Sequence, residues 1–81
     1  MVYTKFYIGE AHLEALQVRY FVVQKEREYG VALEQLSGDL VACDYEYFTE
    51  EQSEAIKVAS LMQKGMVTLT SMTEILDDYI Q

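Results

Sequence analysis

The spacing of apolar residues changes period at Thr49. Before it, apolar residues fall in short β-branched and aromatic runs such as Tyr20, Phe21, Val22 and Val23, whereas after it they recur at helical spacing. The pattern predicts a sheet followed by two helices. This is an α+β fold: an antiparallel meander of three or four strands, then two helices packed on one face, with residues 1–48 strand-rich and 49–81 helical.

The first strand is predicted over Met1–Ile8, with Val2, Thr4, Phe6 and Ile8 on one side and Tyr3, Lys5 and Tyr7 on the other. Gly9 is expected to end it, and Glu10–Leu16 is expected to be a connection, since it could be a short helix or a loop. Gln17–Lys25 and Tyr29–Gln35 then form a hairpin around Glu26, Arg27 and Glu28. Ser37, Gly38 and Asp39 supply a second reversal into a last strand, Leu40–Tyr47.

Thr49 with Gln52 reads as a capping box opening the first helix, with Glu50 and Glu51 where the helix dipole favours acids and Gly65 as the stop. Within it Ala55, Ile56, Val58, Ala59, Leu61 and Met62 cover a wide arc, which predicts cover on two sides. After a connection over Val67–Thr70, Ser71 with Glu74 reads as a second capping box. Met72, Ile75, Leu76, Tyr79 and Ile80 share one face of the closing helix. Asp77 and Asp78 sit near its C-terminus, where each opposes the dipole by about 0.3–1 kcal/mol, so water screens them or a basic group meets them.

With 81 residues the chain has room for one domain, and such small cores are supplemented by disulfides, a metal or oligomerisation. One Cys and one His complete neither of the first two, which makes a homodimer the expected supplement. No run approaches the roughly 20 apolar residues of a membrane span, and Met1–Ile8 lacks the character of a signal peptide, so a cytoplasmic protein without membrane contact is expected.

Charge divides unevenly. Residues 1–27 hold four bases against three acids, and residues 28–81 hold two bases against eleven acids, which together give the formal −8. So acidic a second half repels phosphate backbones, which excludes direct nucleic-acid binding. It serves either as a solubilising surface or as a docking face for a basic protein partner.

The run YFVVQKEREYGVALE, followed by TEEQSEAIKVASLMQKGMVTLTSMTEILDDYI, resembles a family of short bacterial proteins of unknown function. The likeness rests on Tyr29 and Gly30 opening a strand, Thr49 and Glu50 at a helix start, and the closing Asp77, Asp78, Tyr79 and Ile80, and it covers roughly residues 20–80. Thr70 and Ser71 stand where many relatives carry a proline, and Met1–Leu16 has no counterpart. The resemblance implies the strand meander with two closing helices and, since the family has no established activity, adds no functional residue.

No catalytic, cofactor or metal site is expected. Cys43 alternates with Val41, Tyr45 and Tyr47 and reads as a small packed hydrophobe, and His12, the one candidate base, lies far along the chain. The acids Asp44, Glu46, Glu50, Glu51 and Glu54 lack the spacing and turn glycine of a calcium loop, and the four glycines are isolated, so no phosphate loop exists.

The seven tyrosines point elsewhere. Tyr20–Val23 places apolar groups on both faces of its strand although two helices cover only one face of a small sheet, so the N-terminal segment, the sheet's own twist or a partner covers the other. The function expected is therefore a small cytoplasmic protein-interaction or regulatory module that self-associates, not an enzyme. Its candidate contact residues are Tyr45, Tyr47, Glu50, Glu54, Asp77 and Asp78. The alternative is an acidic inhibitor that mimics nucleic acid and occupies the groove of a basic regulator.

Overall fold

The computed structural model describes the backbone of residues 4–80, and side chains within that range except at 73 and 78–80. Positions Met1, Val2 and Tyr3 of the predicted first strand lie outside the described residues, as do the side chains of Asp78, Tyr79 and Ile80. The elements are β1 (Thr4–Leu13), β2 (Leu16–Lys25), β3 (Glu28–Ser37), β4 (Leu40–Thr49), α1 (Gln52–Lys64) and α2 (Leu69–Ile80). The strands pair antiparallel in the order β1-β2-β3-β4, a four-stranded meander with both helices on one face.

The meander follows from three two-residue turns, Glu14-Ala15, Glu26-Arg27 and Gly38-Asp39, whose first residues have φ of 45°, 58° and 61°. Positive φ at that position matches the twist of the flanking strands and holds each hairpin in register. Glu28 and Ser37, expected in turns, therefore lie in β3.

Gly9 does not end the first strand, and Glu10–Leu16 is not a separate connection. The pairing of β1 with β2 shifts between Tyr7 and Gly9, a bulge that absorbs one extra residue and lets the strand run on to Leu13. Gly9 allows a close approach instead: a Cβ there would lie 2.6 Å from Cδ of Gln63 on α1. The Gln63 amide donates to the Glu10 carbonyl at 3.3 Å, tying α1 to the bulge.

Alternation along the strands sends Val18, Tyr20, Val22, Val31 and Leu33 toward the helices, where they pack with Ala55, Val58, Ala59 and Met62 of α1 and Met72 and Leu76 of α2. Ile56 and Leu61 of α1 stay 41% and 52% exposed, so among the described residues nothing supplies the expected cover on a second side of that helix. Both capping boxes also give way to other arrangements. Residue Glu51 occupies the N-cap of α1 with no side-chain cap bond, while the Thr49 hydroxyl accepts from the Glu51 N–H at 3.1 Å, a local turn that places Thr49 at the end of β4. α2 starts two residues before Ser71, and the Thr68 carbonyl accepts from the N–H groups of Ser71 and Met72. α1 does stop at Gly65, but that residue has φ −85° and the left-handed position falls on Met66 at φ 53°.

Tyr20 is fully buried, and its hydroxyl donates to the Val67 carbonyl at 2.7 Å, fastening the α1–α2 connection to β2. Tyr20→Phe leaves that buried carbonyl without its partner and is expected to lower stability by about 1–3 kcal/mol, read as the shift of the urea midpoint. Burial raises this hydroxyl above its ordinary 10.0. The folded state then holds the proton more tightly than the unfolded state, so its contribution is intact below about pH 10 and falls as pH rises above it. Tyr20→Phe should lack that alkaline component.

Candidate interaction surface

The sheet face away from the helices is built by the other half of the alternation. Reading across the four strands, Tyr7, Phe21, Ala32 and Tyr45 form one row, and Lys5, Val23, Gly30 and Tyr47 form the next. A third row holds Glu10, Arg19, Glu34 and Cys43. Phe21, Val23 and Ala32 make a second apolar cluster with Tyr47, separate from the core, and no helix residue among the described residues joins it.

Side chains of the edge strands roof that cluster. The Tyr7 ring meets Phe21 edge-on with centroids 5.6 Å apart, Tyr45 meets Tyr47 in the same way at 5.6 Å, and Lys5 Nζ lies 4.5 Å from the centre of the Phe21 ring. Lys5 also pairs with Glu34 at 2.7 Å, and Arg19 approaches the same carboxylate at 3.9 Å. The large apolar side chains left to solvent on this face are Tyr7, Tyr45 and Val41, at 56%, 54% and 66% exposed. A depression of about 40 Å³ lies between Lys5, Val23, Ala32, Glu34, Cys43 and Tyr45.

At one end, the Tyr7 hydroxyl donates to Glu10 at 2.8 Å and His12 Nε2 lies 2.8 Å from the other Glu10 oxygen. The Tyr7 bond holds the Glu10 carboxyl below its ordinary 4.5, with His12 adding to this, and the same bond raises the Tyr7 hydroxyl above 10.0. These groups are solvent-exposed, so the trio fixes the surface shape without storing much energy.

The candidate contact residues are divided between the two sides. Tyr45 and Tyr47 stand together on the open face, and Glu50 lines a hollow with Tyr47, Lys25 and Arg27 at the end of the sheet. Glu54 and Asp77 belong to the helices across the sheet, and the Asp78 side chain lies outside the described residues. Cys43 is an exposed thiol and not a packed hydrophobe, because β4 is an edge strand whose outer residues extend past the apolar cluster. His12 is on the other edge strand, roughly 14 Å away by strand spacing. Among the described residues no three His, Cys, Asp or Glu side chains gather as metal ligands, and no helix is long and apolar enough to cross a membrane.

Lys5, Tyr7, Arg19 and Glu34 were not singled out from the sequence as surface residues, whereas Phe21 belongs to the run Tyr20–Val23 that predicts an apolar second face. The strict alternation in Tyr20–Val23 held the signal, since Phe21 and Val23 must point away from Tyr20 and Val22. A separate apolar groove of about 290 Å³ lies between α1 and α2, lined by Val58, Leu61, Met62, Gly65, Val67 and Ile75. No protein-family model, curated protein or solved structure matches the chain.

Proposed function

We propose that the protein is a small protein-interaction module that associates through the open face of its sheet. One observation carries the reading: the face away from the helices is covered by no element of the described chain, yet it is surfaced by Tyr7, Tyr45 and Val41 over an apolar centre. Tyrosine supplies large contact area at low conformational cost, which suits a recognition surface. The N-terminal segment is no rival cover over residues 4–13, because it lies in the sheet plane as β1. The exposed free thiol of Cys43 is compatible with a reducing, cytoplasmic setting.

Tyr45→Asp tests the reading, because an exposed edge-strand residue can change without emptying the core. Assembly measured by sedimentation is expected to weaken about 30-fold, the loss typical of an interface tyrosine, while circular dichroism stays native. Unchanged assembly would sink the reading.

The sorting of charge favours a second role for the opposite side. Asp44 and Glu46 alternate toward the helix-bearing face of β4, and Glu54 and Asp77 lie on the helices, so that side offers an acidic surface to a basic protein. A nucleic-acid-mimicking inhibitor would use the same groups, and competition with DNA for a bound basic protein separates it from simple docking.

A further inference from the structure

We infer that the occupant of the open face is a second copy of this chain, stacked sheet on sheet about a two-fold axis parallel to the strands and between β2 and β3. The inference rests on the reading of that face as an association surface and adds its partner and geometry.

Charge separates this face from the rest of the molecule. By register it carries three bases, Lys5, Arg19 and Lys25, and three acids, Glu10, Glu28 and Glu34. The face is neutral, so the other three bases and eleven acids of the chain carry the whole formal −8. Two such molecules repel one another through other surfaces and meet without net repulsion here.

The central strands are also complementary to each other. Along β2 the outward residues read base, large, large, base: Arg19, Phe21, Val23, Lys25. Their direct partners on β3 read acid, small, small, acid: Glu34, Ala32, Gly30, Glu28. An axis between the two strands lays β2 of one copy on β3 of the other. Each base then meets an acid, Arg19 facing Glu34 and Lys25 facing Glu28 of the other copy, while Phe21, Val23 and Ala32 stay buried beneath the contact in their own copies. The same operation sets Tyr7 over Tyr45 and Lys5 beside Tyr47 of the second copy, extending the aromatic and cation–π contacts each copy already makes. Arg19 sits 3.9 Å from its own Glu34 and is 42% exposed, which leaves guanidinium donors for a second carboxylate.

Four strands of ten residues present a face of about 19 by 33 Å, or roughly 600 Å² before side-chain relief is counted. This approaches the ~800 Å² per partner of a standard interface. Packed about 10 Å apart, the two sheets would form a sandwich with the acidic helices outermost.

A charge swap tests the axis. In sedimentation, Arg19→Glu alone places acid on acid across the interface, Glu34→Arg alone places base on base, and each is expected to weaken the wild-type dimer at least about tenfold. An equimolar mixture of the two variants should regain the dimer, because every cross-interface pair is again opposite in sign, while the pair within each chain stays repulsive. A wild type that remains monomeric at about 1 mM overturns the second copy as occupant. In that case, another protein bound by wild type and lost with Tyr45→Asp would leave the surface reading standing. A dimer lost with Tyr45→Asp but not regained in the mixture overturns the axis and keeps the surface. A dimer indifferent to all three variants overturns both.

Discussion

Gly30→Ala is expected to destabilise the domain by about 3 kcal/mol or more, enough to leave much of it unfolded at room temperature. The pairing of β3 with β4 shifts between Tyr29 and Gly30, so that Tyr29 opposes Thr49, Gly30 opposes Tyr47, and Phe48 is the extra residue. This bulge turns Phe48 toward the core and brings β4 backbone against Gly30. An alanine Cβ would collide with the Glu46 carbonyl oxygen and lie 2.6 Å from Cα of Tyr47. Those are backbone atoms of a paired strand and cannot swing aside as a side-chain end would, so β4 must shift or lose ladder bonds. Gly65→Ala is the control. Its Cβ would find ordinary contacts, 3.5 Å from the Leu61 carbonyl oxygen and 3.7 Å from Val67, at a φ any residue adopts. It should be neutral or stabilising by about 0.4–1 kcal/mol. Urea titrations of both variants decide the matter: equal midpoints would contradict the collision.

Leu33→Ala should have an effect of similar size for a different reason. Leu33 is fully buried on a central strand, among the side chains that join the sheet to both helices. Truncation removes its transfer free energy and leaves a cavity that the surrounding strands cannot fill, together about 2–5 kcal/mol. A domain of this size has a total of about the same order, so the expected result is a broadened or absent unfolding transition. Leu40→Ala, at a site 75% exposed, should change stability by less than about 0.5 kcal/mol. A cooperative transition with an unchanged midpoint in Leu33→Ala would mean that the helices are not held by this part of the sheet.

Gly30 is a position where local reasoning stops. Gly30 looked like the opening of an ordinary strand, since nothing within the segment says that a later strand will cross it closely. Gly9 looked like a terminator because a glycine after alternating residues is the usual end of a strand, yet a bulge accommodates it and the strand continues. Cys43 looked packed because alternation tells which residues share a face but not whether that face reaches past its cover. The capping boxes failed for a related reason. A side chain with the right spacing can cap only if the chain enters at the right angle, and Thr49 is held at the end of β4 instead.

The order of strands and helices, the apolar character of both faces of β2 and the uneven charge were all legible in the sequence, because each depends on periodicity and composition within a segment, whereas which β2 face turns to the helices was decided by the fold. That one face would carry apolar residues without a helix over it was legible too, from Tyr20–Val23 alone. The structure alone decided which residues from different strands share a row. It alone brought Lys5, Glu34 and Arg19 together and set the four outward positions of β2 against their opposites on β3. Such pairings depend on register, and register is a property of two strands at once: a one-residue slip leaves each strand's own pattern unchanged while moving every neighbour across the sheet.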